Sequence, residues 1–519
     1  MKLNRRISAL GLMALLGTLA TTPSHAANAT PGPPGTQACH LQGVETSAWC
    51  GMVQRPLNPA QPQGRQVDIH FAVLPARARN KLPDPVLFFA GGPGQSAISL
   101  AGSINSLMAR LLNRRDVILI DQRGTGLSAP LLCADDDPTR PLADMGNTDR
   151  QFKMIQQCRE ALQKLPHGDL RYYTTVIAMQ DADAVRQALG VTQVNLVGGS
   201  YGTRAGLDYM RQFPQAVRRS VLDGLAPPDM VLPASFSPDS QAAFDAALAA
   251  CEADSACNTR FPRLRADWQV LLQSLPREVT VTHPVLNRPE TFMLTRDAVL
   301  ALARTPLYIP ALAAALPLAI TEAAAGHVQP LMGLGLAMGS RRGKAMAMGM
   351  HFSVVCAEDV PRLAASAGVD TPGTDFGNSF ADMYKHVCAD WPRGQVPTDF
   401  YTVPTTNAAT LLLSGGADPA TPPRHGDAVA KALGSRARHV VVPQAGHGVW
   451  GIGCMRDVIH RFIDAKTDEE ALKVDADCAQ NIPRPAVFFP ITAPQPGANA
   501  RLNGNSNGNT NGNSNGKRP

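Results

Sequence analysis

Residues 194–202 read VNLVGGSYG, and they join a strand-like pattern to a helix-like one through a tight glycine turn. Residues 194–197 are of a buried-strand type, and a helical pattern follows from Thr203 to about Phe213. A Gly-x-Ser-x-Gly sequence in this context is typical of a nucleophile elbow, a turn so tight that only glycines fit beside the serine. The alternative is a glycine turn with a solvated serine. The context favours a catalytic Ser200 at the carboxyl edge of a sheet.

Short apolar runs of the kind that fill a parallel sheet occur on both sides of this turn. Most are followed by glycine, proline or aspartate, and helical patterns lie between several of them. The predicted strands are 67–74, 86–90, 116–120, 194–197, 220–222, 410–413 and 439–442. The alternation predicts an α/β fold in which helices cover both faces of a mostly parallel sheet.

The alternation is interrupted once, by a long region without strand patterns. Residues 229–405 are rich in alanine and leucine and mostly helical in pattern, which predicts an inserted cap. The predicted core therefore has two parts, residues 27–228 and residues 406–485. Residues 486–519 end in a run of Asn, Gly, Ser and Thr that cannot bury a core, so this tail is predicted to be disordered.

The first 26 residues have the pattern of a secretory signal peptide. A basic start precedes an apolar run, and small residues stand at the −3 and −1 positions before a predicted cleavage after Ala26. The apolar run is too short for a permanent membrane-spanning helix, and a retained membrane anchor is the alternative. The pattern predicts an exported protein, periplasmic or extracellular, without a membrane anchor after cleavage.

Ten cysteines follow the signal segment, and an even number in an exported chain indicates disulfide bonds. Pairing of neighbours along the chain is the simplest prediction, because short loops close at the lowest entropic cost. The predicted pairs are Cys39–Cys50, Cys133–Cys158, Cys251–Cys257, Cys356–Cys388 and Cys454–Cys478.

The composition argues against two other classes of partner. The 519 residues carry a net charge of +6 and contain no run rich in lysine and arginine, so no nucleic-acid partner is predicted. The sequence has neither a Cys-x-x-Cys nor a His-Glu-x-x-His spacing, so no metal site is predicted. No cofactor is expected.

Three polar residues, Ser200, Asp418 and His447, each follow a predicted strand. Their order along the chain is the order found in α/β-hydrolases. A serine hydroxyl is too weakly acidic to attack a carbonyl unaided, whereas a histidine can take its proton and an aspartate can hold the imidazole tautomer. The alternatives are a turn aspartate before proline and a polar loop histidine. The shared position after strands favours a catalytic triad.

A glycine-rich turn, GGPG at residues 91–94, also follows a predicted strand. Its place upstream of the elbow favours an oxyanion-hole loop over an ordinary tight turn. Pro93 has no N–H group and can only shape the loop. We predict that Gly92, or else Gly91, joins Tyr201 in donating backbone N–H groups to the negative oxygen of a tetrahedral intermediate.

Five motifs carry a resemblance to a known family. They are GGPG at 91–94, DQRGTGLS at 121–128, GGSYG at 198–202, DPATP at 418–422 and GH at 446–447. Together they resemble the proline iminopeptidase family of serine peptidases, and within it the secreted tripeptidyl-aminopeptidase-like branch. The resemblance covers most of residues 40–480 and implies an α/β-hydrolase fold with a helical cap. It also implies removal of residues from peptide N-termini. Ala90 departs from the family pattern, which often has histidine there.

An exopeptidase of this type must recognise a free α-amine, and a carboxylate near the mouth of the active site does this. In the resembling enzymes such acids come from the cap or its edges. Glu358 and Asp359 are the candidates here, because a disulfide at Cys356 would fix their position, and a solvated acidic turn is the alternative. Asp223 is expected either to face the site or to cap a turn. Arg123 is expected to hold its loop by hydrogen bonds to backbone carbonyls, with a substrate role as the alternative.

The sequence thus predicts an exported serine aminopeptidase whose substrates are peptides with free N-termini, cut to release single residues or tripeptides. A carboxylesterase on the same fold is the alternative, since the fold does not fix the substrate. A non-catalytic binding protein is a third possibility, which the intact set of three residues disfavours.

Overall fold

The computed structural model describes residues 32–133, 139–337, 346–365 and 374–489. The predicted signal segment, residues 1–26, and most of the predicted tail, residues 486–519, lie outside the described residues.

The described residues form eleven strands, nine of them in one large sheet. The strands are β1 (Thr36–Cys39), β2 (Ala48–Pro56), β3 (Gln66–Leu74), β4 (Val86–Phe89), β5 (Val117–Ile120), β6 (Val194–Gly199), β7 (Val217–Asp223), β8 (Arg277–Thr282), β9 (Pro289–Leu294), β10 (Ala409–Gly415) and β11 (Ala437–Val442). The order in the large sheet is β1-β2-β3-β5-β4-β6-β7-β10-β11. The last six of these strands run parallel, and β1, β2 and β3 form an antiparallel edge.

Sixteen α-helices accompany the strands in the described part of the chain. They are α1 (Ala101–Leu107), α2 (Thr148–Leu162), α3 (Thr175–Ala188), α4 (Tyr201–Gln212), α5 (Leu232–Ala253), α6 (Ser255–Arg260), α7 (Leu264–Gln273), α8 (Arg296–Leu307), α9 (Pro310–Ala313), α10 (Leu316–Ala324), α11 (Gln329–Leu336), α12 (Met348–Glu358), α13 (Ser379–Ala389), α14 (Pro423–Leu433), α15 (Met455–Asp464) and α16 (Asp468–Leu472). Residues near 97–112 have helical spacing in the sequence, but only Ala101–Leu107 form an α-helix, α1, which 3₁₀ turns flank.

The central strands are apolar on both faces because helices cover both sides of the sheet. In β4 all four residues are buried, with Leu87 in the apolar cluster on one face and Phe88 in the cluster on the other. In β6, Leu196 and Val197 likewise lie in the clusters on opposite faces, as expected from the two-residue period of a strand. All seven strands predicted from sequence are present, and β1 and β2 are additional.

The cap region predicted at 229–405 contains helices α5 to α13 and, contrary to the prediction, an antiparallel pair, β8 and β9. Val279 and Val281 are buried while their neighbours in β8 are exposed, so a two-residue period was present in the sequence. Helices α5 to α11 and the pair share an apolar cluster that includes Phe244, Trp268 and Ile320, whereas α12 and α13 pack in the cluster on one face of the large sheet. Most of the region therefore has a core of its own.

All five predicted disulfides are present, which confirms the pairing of neighbouring cysteines. Among the described helices, none has both the length and the apolar character needed to cross a membrane.

Candidate active site

Ser200 occupies a sharp turn between β6, which ends at Gly199, and α4, which begins at Tyr201. Its backbone has φ +56° and ψ −125°, a conformation that residues with a β-carbon avoid and that persists only where the surroundings enforce it. A β-carbon at Gly202 would lie 2.3 Å from the carbonyl oxygen of Phe89 in the neighbouring strand β4, so only glycine fits there. The turn has the geometry of a nucleophile elbow.

Asp418 and His447 follow the adjacent parallel strands β10 and β11, so both reach the same edge of the sheet as Ser200. His447 Nδ1 lies 2.8 Å from Asp418 Oδ2. The other carboxylate oxygen of Asp418 accepts the backbone N–H groups of Ala420 and Thr421, which fixes its orientation. A histidine held in this way presents its Nε2 for proton transfer.

Thr421 is a third member of this hydrogen-bond group, a role that was not predicted from the sequence. Its hydroxyl donates to Asp418 Oδ2 at 2.8 Å and lies 3.1 Å from His447 Nδ1. The short spacing from Asp418 was the available signal, because an aspartate often binds the backbone two or three residues further on.

Asp418 and His447 each stabilise the charged form of the other. Burial alone would raise the pKa of Asp418, but attraction to His447 and hydrogen bonds from that ring and from the backbone outweigh burial and hold the pKa below its usual value. Burial lowers the pKa of His447, and the nearby Asp418 carboxylate more than compensates, so that this pKa is raised. The imidazolium that forms when a base takes a proton is therefore stabilised at this position.

Asp223, at the end of β7, connects the elbow to the histidine loop. Its carbonyl oxygen accepts the N–H of Ser200 at 2.8 Å. Its carboxylate accepts the N–H groups of Val449 and Trp450, two and three residues after His447. Burial raises the pKa of Asp223 to about 7, against the effect of these two N–H donors. Of the two expectations for Asp223, facing the site or capping a turn, the hydrogen bonds support the capping of a turn, the one that follows His447.

The cap contributes to the same site through Tyr308, which directly follows α8. Its carbonyl oxygen accepts the N–H of His447 at 2.9 Å, and its ring meets the imidazole edge-on at a centroid distance of 5.1 Å. Arg304 in α8 donates to the Tyr308 hydroxyl and to Ser240 Oγ, and the latter donates to the carbonyl oxygen of Pro419. One cap arginine thus binds groups that touch both the aspartate loop and the histidine loop.

The predicted oxyanion loop lies against the elbow. A β-carbon at Gly91 would lie 3.2 Å from the β-carbon of Ser200, so the two chains touch. Gly92 has φ +113°, a region open to glycine. Tyr201 is the first residue of α4, and the first N–H groups of a helix have no acceptor within it. Backbone N–H groups from the loop and from the helix start are thus available beside Ser200.

Glu358 and Asp359 do not have the environment that was expected of amine-binding residues. Both are completely buried. Glu358 accepts from the N–H and the hydroxyl of Thr175, and Asp359 accepts from Arg204 and from the N–H of Leu232. This corrects the expectation, because a carboxylate without exposed oxygen atoms cannot receive a substrate ammonium group in this conformation.

The two carboxylates share one cation. Arg204 Nη1 lies 3.1 Å from Asp359 and 3.6 Å from Glu358, and all three side chains are fully buried. Burial raises the pKa of Glu358 to about 7, since one guanidinium cannot fully compensate two buried carboxylates. The cluster therefore links the end of α12 to α4.

Arg123 behaves as expected. Its guanidinium donates to the backbone carbonyls of Leu57, Tyr172 and Pro56, and it forms an ion pair with Asp181. These bonds confirm a structural role for Arg123.

Comparison with known proteins agrees with the topology. Residues 84–303 match the family described as alpha/beta hydrolase fold, and residues 372–476 match the family described as TAP-like protein. The sheet order and the strand-end positions of Ser200, Asp418 and His447 are those of the same fold. The chain has the α/β-hydrolase fold, and its class is that of the serine hydrolases.

Three curated relatives show the range of activities named for similar chains. The serine protease Hip1 of Mycobacterium tuberculosis is 32% identical over 201 residues, 36% of this chain and 37% of that protein. The tripeptidyl aminopeptidase of Streptomyces coelicolor is 31% identical over 34% of this chain and 35% of its own length. Carboxylesterase B of M. tuberculosis is 27% identical over 80% of this chain and 85% of its own length. The alignments to the first two span little more than a third of each relative.

Proposed function

We propose that the protein is an exported serine aminopeptidase that hydrolyses peptide bonds near the free N-terminus of peptides, releasing single residues or tripeptides. Ser200 is the nucleophile, His447 the base and then the acid, and Asp418 the residue that orients the imidazole. The 2.8 Å contact between His447 Nδ1 and Asp418 Oδ2, at the strand edge that also carries the Ser200 elbow, is the observation that carries the proposal.

The proposed reaction uses each of these groups in turn. His447 Nε2 takes the proton of the Ser200 hydroxyl as its oxygen attacks the scissile carbonyl carbon, and Asp418 stabilises the imidazolium. The carbonyl oxygen becomes negative and is received by the N–H groups of Gly92 and Tyr201. His447 then gives its proton to the leaving amine. A water molecule, deprotonated by the same histidine, hydrolyses the acyl-enzyme and restores Ser200.

Two of the relatives support the choice of a peptide substrate, since their names are those of a serine protease and a tripeptidyl aminopeptidase. The TAP-like match over residues 372–476 includes Asp418 and His447, so the support extends to two of the three catalytic positions.

Export is part of the proposal, and the disulfides support it. Five bridges are present, and disulfides of this number persist in oxidising compartments and are rare in the cytosol of most organisms. The pattern of the first 26 residues, described above, agrees with the same compartment.

A carboxylesterase is the second candidate function. The specific observation in its favour is the burial of Glu358 and Asp359, which leaves both carboxylates closed to a substrate amine. The relative that aligns over 80% of this chain is also named a carboxylesterase. An esterase needs no amine-binding acid, whereas an aminopeptidase does.

Hydrolysis of a matched substrate set separates the two functions. The set contains Pro-, Ala- and Ala-Ala-Pro-chromogenic amides, each with a free and an acetylated N-terminus, and a short-chain ester. Ser200→Ala is the inactive control, and Ser274→Ala, in the cap, is the matched control for a serine change.

Cleavage of free-amine amides that is lost on acetylation supports the aminopeptidase, and the best chain length gives the number of residues released. Ester turnover without amide cleavage contradicts the aminopeptidase and leaves the esterase. Full activity in Ser200→Ala contradicts both, because each requires the same nucleophile.

A further inference from the structure

His351 is a buried histidine that the proposed reaction does not use, yet both of its ring nitrogens are bonded. It lies in the first turn of α12. Its Nδ1 lies 3.0 Å from the carbonyl oxygen of Pro93, and its Nε2 lies 2.7 Å from the hydroxyl oxygen of Tyr384 in α13. Both side chains are buried. The histidine therefore connects two cap helices to the loop that contains Gly92.

The chemistry of the partners fixes the direction of both bonds. A carbonyl oxygen only accepts, so Nδ1 carries the hydrogen and donates it to Pro93. Nε2 of the neutral ring is then an acceptor, and the Tyr384 hydroxyl donates to it. Burial lowers the pKa of His351 to about 4, which keeps the ring neutral at neutral pH. In this tautomer Nδ1 is the donor to the Pro93 carbonyl oxygen, and Nε2 is the acceptor from the Tyr384 hydroxyl.

A second contact joins the cap to the same loop. The N–H of Ala347, one residue before α12, donates to the carbonyl oxygen of Gly94 at 2.9 Å. A β-carbon at Gly94 would lie 2.9 Å from the carbonyl oxygen of Ala347, so the two backbones are in direct contact. Two consecutive carbonyls of the loop, those of Pro93 and Gly94, are thus held by one short segment of the cap.

The two helices that carry His351 and Tyr384 are joined covalently. Cys356 of α12 forms a disulfide with Cys388 of α13. Cys388 lies one helical turn after Tyr384, and Cys356 lies later in α12 than His351. The bridge therefore keeps the tyrosine hydroxyl within reach of the imidazole.

We propose that His351 and Tyr384 are positioning residues that set the oxyanion loop from the cap, through the carbonyl group of Pro93. The inference rests on the proposed function, in which the N–H of Gly92 receives the negative oxygen. The Gly92 N–H and the Pro93 carbonyl are close along the same loop, so a change in the position of the carbonyl also reorients the donor. Oxyanion donors act within a narrow distance range of about 2.7 to 3.1 Å.

Two substitutions test the inference. Tyr384→Phe removes only the hydroxyl that holds His351 Nε2, and His351→Leu removes both bonds. Tyr209→Phe is the matched control, because its buried hydroxyl binds Asp183 at the far end of α4 and not the loop. The readouts are kcat and KM for the best substrate, the Ki of the corresponding peptide boronate, and the thermal midpoint.

We expect His351→Leu to lower kcat at least about 10-fold, with a smaller loss in Tyr384→Phe, because losing one oxyanion donor outright costs about 100- to 1000-fold. KM should change little, and the Ki of the boronate should rise in parallel, since its tetrahedral form places an oxygen in the oxyanion hole. A purely structural role would lower the thermal midpoint without this split between kcat and KM.

The inference is overturned if Tyr384→Phe and His351→Leu retain the kcat and boronate Ki of Tyr209→Phe, whatever their thermal midpoints. If His351→Leu does not fold, Tyr384→Phe alone decides through the same kcat and Ki comparison. The same experiment includes Ser200→Ala. If wild-type activity is lost in Ser200→Ala while the His351 and Tyr384 variants behave as the control, the positioning role fails and the proposed nucleophile stands. Activity that survives in Ser200→Ala overturns both.

Discussion

The backbone N–H of Ser200 donates to the carbonyl oxygen of Asp223 at 2.8 Å, so the candidate nucleophile is held by the residue whose side chain also holds the histidine loop. The two proposed catalytic residues come from strands that do not touch each other, β6 and β11, and β7 lies between them with β10. Asp223 is therefore the link that relates the positions of Ser200 and His447.

Asp223→Ala should reduce both activity and stability. The buried N–H of Val449 and the partly buried N–H of Trp450 lose their acceptor, and a buried group left unsatisfied costs about 1 to 3 kcal/mol. We expect kcat/KM to fall about 10- to 100-fold, because a displacement of about 1 Å at reacting groups costs about 100-fold. Urea unfolding and steady-state kinetics measure the two effects. Asp208→Ala, a buried aspartate of α4 outside the site, is the control, and an equal kinetic loss in that variant would contradict the link.

The activity should depend on the neutral form of His447. The Asp418 carboxylate helps raise the pKa of this ring, so kcat/KM should rise with pH through an apparent pKa above the usual 6.5. Asp418→Asn should lower kcat by about 10⁴-fold and move this limb of the profile to lower pH.

A second aspartate–histidine pair supplies the control for that experiment. Asp427 lies 2.9 Å from His439 on the helix and strand next to the site. Asp427→Asn should leave the pH profile unchanged. A profile that shifts equally in both variants would mean that the general charge of the protein, and not the contact with His447, sets the pKa.

The buried cluster of Glu358, Asp359 and Arg204 should make stability depend on pH. The folded pKa of Glu358, about 7, lies above its usual 4.5, so the folded protein binds more protons than the unfolded chain between these values. The contribution of Glu358 to the free energy of unfolding is therefore most favourable at low pH and is lost as pH rises from about 4.5 to 7. Glu358→Gln removes it, while Arg204 keeps its contact with Asp359.

The measurement is the free energy of unfolding of Glu358→Gln and of wild type at several pH values. The stability of the variant relative to wild type should increase by about 2 to 3 kcal/mol from pH 4.5 to 7 and then level off. A difference that stays constant over this range would show that Glu358 ionises normally in the folded protein.

Arg304→Lys should weaken catalysis although the charge remains. Arg304 donates from two different nitrogens, Nε to Ser240 and Nη2 to Tyr308, and a single ammonium group cannot reproduce this fork. We expect kcat to fall about 5- to 20-fold, because Tyr308 contacts the imidazole of His447 and loses a charge-assisted hydrogen bond of about 1.5 to 3 kcal/mol. Arg296→Lys, at the start of the same helix, should have no effect on kcat, and comparable losses in both would reject the role of Arg304.

The parts of the molecule that the sequence predicts well are those with local signals. The strands of the parallel sheet, the elbow at Ser200 and the pairing of the cysteines all follow from runs, turns and spacings of neighbouring residues. The strand-end positions of Asp418 and His447 follow from the same signals, because parallel strands end at one edge of the sheet.

These local signals do not predict contacts between residues that are far apart in the sequence. Arg204 and Asp359 are 155 residues apart, and no local pattern indicates that an acid after α12 meets a guanidinium in α4. Glu358, expected from sequence either to bind a substrate amine or to lie in a solvated acidic turn, is therefore part of a buried cluster. The roles of Tyr308 and His351 were not predictable for the same reason, since each contacts residues that are far away in the sequence.

Covalent labelling tests the central claim, that Ser200 is the nucleophile of a hydrolase whose base is His447. The wild-type protein, Ser200→Ala and His447→Ala are incubated with a fluorophosphonate, and the intact mass and the modified peptide are measured. We predict one adduct per wild-type chain, on the peptide that contains Ser200, no adduct in Ser200→Ala and labelling at least about 100-fold slower in His447→Ala. Labelling of Ser200→Ala at the wild-type rate, or an adduct on another serine, would contradict the account.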